Sequence, residues 1–167
     1  MKLTIQSVIS QKLAESIQYY IFCTSSQSEI VSYQTFPNTN LCLSVYKKNK
    51  VTHDRAINFC KIEDGGSLFS SKLWGFHEKI FNVSIQAKID QVCILFHPGG
   101  IRHFTNKPYE ILLKSDDVFE MIFGKQGNDF LDQLFKINDI KKRVSLLERF
   151  LAKNFIDINK KPSDGDL

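Results

Sequence analysis

Apolar and polar positions follow two different rhythms along this chain. In the first two thirds they form short runs rich in β-branched and aromatic residues. Residues 18–24, 41–46, 57–62, 73–76, 81–87 and 92–96 read as strands, with part of 41–46 and 57–62 alternating at period two. Turn signals separate them at Pro37-Asn38, Lys48-Asn49, Asp64-Gly65-Gly66 and Pro98-Gly99-Gly100. Many short strands at close spacing predict a barrel or sandwich.

After about residue 115 the rhythm becomes helical. Ser115-Asp116 is placed to cap a short helix through Val118, Phe119 and Ile122, which Gly124 and Gly127 then break. Residues 128–135 put Phe130, Leu131, Leu134 and Phe135 on one helical face. Asn138 or Asp139 caps a longer helix from Ile140, where Ile140, Val144, Leu147, Leu151 and Phe155 form one apolar stripe, widened by Leu146 and Phe150. Lys141, Lys142, Glu148 and Lys153 occupy the opposite face. Residues 158–167, with Pro162 and Gly165, read as a linker or frayed tail. The predicted class is mainly β with C-terminal helices: a cupin-like β-barrel over 1–113, then two to three α-helices over 114–157.

Composition changes this picture little. The chain has 167 residues, enough to bury a real core, with 43% hydrophobic and 24% charged. Fourteen Phe, five Tyr and one Trp point to a core or pocket built from flat side chains. A net charge of +4 is not the footprint of a dedicated nucleic-acid-binding domain. The clusters Lys47-Lys48-Lys50 and Lys141-Lys142-Arg143 read as solvated faces. No secretion signal or membrane-length apolar run is present in the sequence, so a cytoplasmic location without membrane contact is the expectation.

Candidate chemistry is sparse. Cys23, Cys42, Cys60 and Cys93 form no CxxC pair, sit among apolar residues and read as buried thiols. His53, His77, His97 and His103 form no ligand spacing, so no metal or other cofactor is expected. There is no nucleophile elbow and no phosphate-binding loop; Asp64-Gly65-Gly66-Ser67 reads as a hairpin turn. Asp116-Asp117 reads as a helix start. No catalytic residue emerges, and the chain is not expected to be an enzyme.

One segment stands out: Phe96-His97-Pro98-Gly99-Gly100-Ile101-Arg102-His103-Phe104, directly after an apolar strand. Pro98 fixes one backbone angle, and Gly99 and Gly100 permit a sharp turn. The chain should leave the sheet here through a helical turn carrying Ile101 and Phe104 inward, as a strand-to-helix corner or as a rim over a barrel mouth.

This segment is similar to one in the N-terminal domain of AraC-type bacterial transcription regulators. Residues 109–119, with Leu112, Leu113, Asp116, Val118 and Phe119, resemble that family's approach to a short helix. Arg143-Val144-Ser145-Leu146-Leu147-Glu148-Arg149-Phe150-Leu151 resembles the helix that closes its sensor domain. Residues 17–22 resemble its aromatic opening strand, and Leu73-Trp74-Gly75 falls where the family has a glycine turn. The resemblance implies a cupin-like effector-binding and dimerisation domain. DNA would be bound only by a C-terminal helix-turn-helix domain of a longer parent, for which no room remains after Phe155.

On that resemblance, Tyr20, Phe22, Tyr46, Trp74, Phe96 and Phe104 are the candidate lining of a small-molecule effector pocket. Val144, Leu147, Phe150 and Leu151 are the candidate homodimer interface, and Pro98, Gly99 and Gly100 the structural turn. The competing readings are a small cupin-type metal-dependent enzyme or isomerase, and a stand-alone small-molecule-binding barrel.

Overall fold

The computed structural model describes residues 1–37 and 39–158. The expected tail lies outside the described residues from 159 onward, as does Asn38 of one expected turn. Along the chain run β1 (Lys2–Ser7), α1 (Gln11–Ala14), β2 (Ile17–Thr24), β3 (Glu29–Thr35), β4 (Cys42–Asp54), β5 (Phe59–Trp74), β6 (Phe81–Ala87) and β7 (Asp90–Phe96). A 3-10 turn (Gly100–His103) follows, then α2 (Tyr109–Lys114), α3 (Val118–Phe123), α4 (Lys125–Leu134) and α5 (Ile140–Lys153). The mainly-β class with C-terminal helices is as expected, with α3, α4 and α5 in the segment 114–157 and the short α2 just before them.

The seven strands form one sheet in the order β1-β2-β7-β4-β5-β6-β3. All pairings are antiparallel except β5 with β6. The sheet curls into an open half-barrel. At one end its two edges meet, where the Met1 amino group forms an ion pair with Glu29.

The long β4–β5 hairpin makes the curl. Its first halves and second halves join different neighbours: Cys42–Tyr46 pairs with β7, while Phe59–Glu63 pairs with β6. Between them the ladder steps from Lys47↔Phe69 to Asn49↔Asp64, so five steps along β5 oppose two along β4. This is a large bulge, and bulges bend strands. Lys48 has φ 55°, and Gly65 and Gly66 have φ 112° and 80°. The two expected turns at Lys48-Asn49 and Asp64-Gly65-Gly66 are thus the two sides of one kink, not hairpin ends. The true hairpin turn lies just before Phe59, inside the stretch expected as a strand at 57–62. The segment 73–76 is the end of β5 rather than a strand of its own. Ser70 Oγ donates to Asn49 O (2.9 Å), and Asn49 Nδ2 donates to Lys88 O (3.1 Å), which ties the kink to the β6–β7 connection.

The convex face of the sheet carries the helices. Tyr20, Phe22, Leu43, Val45, Val92, Ile94 and Phe96 form one core with Phe119, Phe130, Leu134, Val144, Leu147 and Leu151. The corner after β7 is built as expected. Gly99 has φ 75°, and Gly100 sits so close to the backbone that a Cβ would lie 2.0 Å from Ser16 O. Ile101 and Phe104 point into the core, at 0% and 5% exposure.

The helix starts differ in detail. Asp139 caps α5 by accepting from Lys142 N (2.8 Å). The N-cap of α3 is Asp117, with Ser115 Oγ accepting from Asp117 N (3.0 Å). Gly124 ends α3, but Gly127 lies inside α4 against Phe119 and Phe123 rather than breaking a helix.

Two charged residues of α5 expected in solvent, Glu148 on its polar face and Arg143 in a basic cluster, are buried. Glu148 accepts from Ile9 N (2.8 Å) and Ser10 N (3.0 Å), and so caps the segment entering α1. Arg143, read as part of a solvated cluster, is 2% exposed and pairs with Asp90.

Candidate functional site

A strand sends alternate side chains to opposite faces. Residues whose neighbours pack under the helices therefore face into the curl. From β4 these are Cys42, Ser44 and Tyr46, from β7 Gln91, Cys93 and Leu95, and from the end of β5 Trp74; Cys60 and Ile62 of β5 and Phe81 and Val83 of β6 line the same hollow. Ile21 of β2, with Tyr33 and Thr35 of β3, completes the wall. Side chains from six strands thus converge on one concave cavity of about 410 Å³. That is within the range of small-molecule sites. Among the described residues, no Asp, Glu, Lys or Arg lines it.

The sequence-predicted pocket residues divide by strand parity. Tyr46 and Trp74 are in the cavity, linked by a hydrogen bond from Trp74 Nε1 to Tyr46 Oη (3.2 Å). Tyr20, Phe22, Phe96 and Phe104 are on the other face, in the core beneath the helices. Their burial excludes them from the cavity, and their neighbour Ile21 lines it instead. Sequence reasoning missed Tyr33, Cys42, Ser44, Phe81 and Cys93. Both faces of β2, β4 and β7 are apolar, so the sequence carries no polarity difference to say which face is hollow.

The candidate dimer residues also have internal partners. Val144, Leu147 and Leu151 are each 1% exposed in the helix–sheet core. Phe150 stacks on Phe130, with ring centroids 3.9 Å apart. Val144, Leu147 and Leu151 are thus core held by their own chain, and Phe150 packs half-buried against it.

Within the cavity, the polar groups gather at one spot. Ser44 Oγ lies 3.2 Å from Cys93 Sγ and 3.5 Å from Cys42 Sγ, and Gln91 Nε2 donates to Cys93 Sγ (3.1 Å). The four thiols of the chain are not equivalent, and Cys23 lies outside the cavity lining. Burial pushes Cys60 up to about 12 and Cys23 up to about 11. Cys42 moves the other way: hydrogen bonds from the Cys93 thiol and the Ser44 hydroxyl stabilise its thiolate more than burial opposes it. Cys93, the donor of that pair, is raised well above the usual thiol value.

A second, polar recess adjoins the cavity at its rim. Trp74, Gly75, His77 and Phe81 are common to both, and His53, Arg55, Lys72, Lys79 and Lys114 line the outer part. His53 packs edge-on against Trp74, at 5.3 Å between ring centroids, and its pKa is lowered by burial and by Arg55 and Lys72. Elsewhere, His103 stacks on Phe155 at 4.5 Å, on the helical side. Among the described residues, no three His, Cys, Asp or Glu side chains are grouped to hold a metal ion.

The family described as a domain of unknown function, DUF6597, matches residues 10–116. The chain belongs to this family. The DUF6597 match spans α1 through α2 and contains every residue that lines the concave cavity, whereas α3, α4 and α5 lie beyond it. No curated protein and no solved structure matches the chain. Among the described residues, no helix is long and apolar enough to cross a membrane.

Proposed function

We propose that the chain is a sensor domain that binds an uncharged, flat small molecule in the concave cavity. One observation carries this reading: side chains of six strands converge on a cavity of about 410 Å³ lined mostly by aromatic, aliphatic and thiol groups with a few polar ones, and by no Asp, Glu, Lys or Arg among the described residues. Such a lining pays no cost for stripping a ligand charge of water and offers Tyr46, Trp74 and Phe81 as stacking partners.

The role is binding rather than catalysis. The likeness of the 96–104 corner and the α5 segment to AraC-type regulators supports a place upstream of a DNA-binding domain in a longer parent. The convex face of the cavity wall is the seat of α3, α4 and α5, so occupancy of the concave face has a short path to the helices. A ligand that favours one wall geometry would shift the population of helix positions.

Trp74 is the sole tryptophan and lies in the cavity wall. Titration with the neutral dye N-phenyl-1-naphthylamine should give saturable binding at one site per chain, with loss of Trp74 emission. Thr35→Phe, at the edge-strand rim, should weaken it. Non-saturable binding, or binding that leaves Trp74 emission unchanged, would overturn the reading.

A further inference from the structure

The concave cavity holds more nucleophilic groups than a simple apolar pocket needs. Three of the four cysteines, Cys42, Cys60 and Cys93, line it. Cys60 and Cys93 are buried, at 1% and 7% exposure, whereas Cys42 is only partly covered. Cys42 Sγ lies 3.5 Å from the Ser44 hydroxyl, which lies 3.2 Å from Cys93 Sγ, so the three groups form one polar cluster in the cavity wall.

A structural disulfide does not explain this arrangement. Ser44 is the residue directly opposite Cys93, and Cys42 is opposite Leu95, so the two cysteines are diagonal neighbours. Diagonal positions on paired strands lie about 7–8 Å apart, beyond the usual span of a disulfide. The two sulfurs are instead linked through the Ser44 hydroxyl, 3.5 Å from Cys42 Sγ and 3.2 Å from Cys93 Sγ. Of the three cysteines that line the cavity, Cys42 is the one that is not buried.

We propose that Cys42 is a covalent capture site for planar α,β-unsaturated carbonyl compounds that enter the concave cavity. This rests on the ligand-binding reading of that cavity. The uncharged aromatic wall selects a neutral flat molecule, and the thiolate supplies the nucleophile. In the capture step, Cys42 Sγ forms a bond to the β-carbon and the carbon–carbon π bond breaks. Its electron pair moves to the carbonyl oxygen as an enolate. The proton given up by the Cys42 thiol is matched by one taken from solvent at the α-carbon, so no oxidant or reductant is consumed. The adduct adds volume between β4 and β7, the strands whose opposite faces carry the helices.

The test uses the intact chain with N-phenylmaleimide, and with N-phenylsuccinimide, which has the same outline but no reactive double bond. Intact mass and peptide mapping at neutral pH should show a first adduct at Cys42, formed about tenfold faster than at Cys23, Cys60 or Cys93. Trp74 emission should change at the same rate. Cys42→Ser should remove the fast phase. Ser44→Ala, which keeps the nucleophile, should slow it about threefold through loss of one hydrogen bond to the thiolate. Circular dichroism confirms that each variant is folded. Labelling led by another cysteine, or a Cys42 rate no higher than in the urea-unfolded chain, would overturn the proposal. A Trp74 response to the succinimide without a maleimide adduct would sink covalent capture and leave the cavity reading standing. No response to either compound would sink both.

Discussion

Arg143 of α5 and Asp90 of β7 meet as a two-pronged ion pair, with Nη1 2.6 Å from Oδ1 and Nη2 2.9 Å from Oδ2. The guanidinium is almost wholly covered, at 3% side-chain exposure, and its Nε donates to Ile137 O. Arg can present this fork; Lys cannot. The pair fastens the start of α5 to the start of β7, next to the kink that curls the sheet.

Removing one partner leaves a buried charge without its counterpart. Asp90→Asn should therefore lower the unfolding free energy by about 3 kcal/mol. Arg143→Lys should lose most of the same amount. Urea midpoints of the two single variants and the double variant check this. A double variant as destabilised as the sum of the two singles would mean that the residues are not coupled.

Leu147 separates core from interface. It is 1% exposed and packed among convex-face residues of the sheet. Leu147→Ala should cost about 3 kcal/mol from lost burial and the cavity left behind. Size-exclusion chromatography with light scattering should give the same mass as for the unaltered chain. A stripe that joined two copies would show the reverse: a lower mass at an unchanged urea midpoint.

How far the sequence announced this fold depends on what each pattern encodes. The α5 stripe was legible because Ile140, Val144, Leu147 and Leu151 recur at helical spacing. What it packs against was not, since a stripe has the same form against a sheet or a second copy. Arg143 and Glu148 were misplaced because a charge looks solvated until its partner is known, and Asp90 and the Ile9-Ser10 backbone are remote in sequence. The strand at 41–46 was legible, but its extension to Asp54 was hidden by Lys48 and Asn49, which signal a turn and form a bulge. The cavity itself was half visible. Tyr46 and Trp74 fell in it, while Tyr20 and Phe22 lie one residue either side of Ile21, on the wrong parity.

Two adjacent glycines should respond differently to the same change. At Gly100 an added methyl would lie 2.0 Å from Ser16 O, and the clash is with backbone. At Gly99 nothing lies within 4 Å of the added atom, and only its φ of 75° is unfavourable. Gly99→Ala should thus cost about 1–2 kcal/mol, the left-handed penalty alone. Gly100→Ala should displace the start of β2 and cost more than about 4 kcal/mol, the exceptional class of single substitutions. Thermal melts rank the two, and equal melting temperatures would contradict the close approach of Gly100 to Ser16.

His53 gives the cavity rim a defined pH response. Burial, Arg55, Lys72 and His77 all disfavour its charged form, and Asp54 only partly offsets them. Its folded pKa therefore lies below the ordinary value of 6.5. The unfolded chain binds a proton at His53 near 6.5, while the folded chain resists until lower pH. In that window the unfolded state holds more protons, so stability rises with pH. The contribution is fully present above the unfolded value and is lost as pH falls through the folded one. Urea midpoints between about pH 7 and pH 5 should therefore fall more steeply for the unaltered chain than for His53→Phe, which keeps a ring beside Trp74 without the proton. Trp74 provides an independent readout, because a cation forming 5.3 Å from its ring perturbs its emission. That change should have its midpoint below 6.5 and vanish in His53→Phe; a midpoint above 6.5 would place His53 in a setting that favours its charge, contrary to the rim described here.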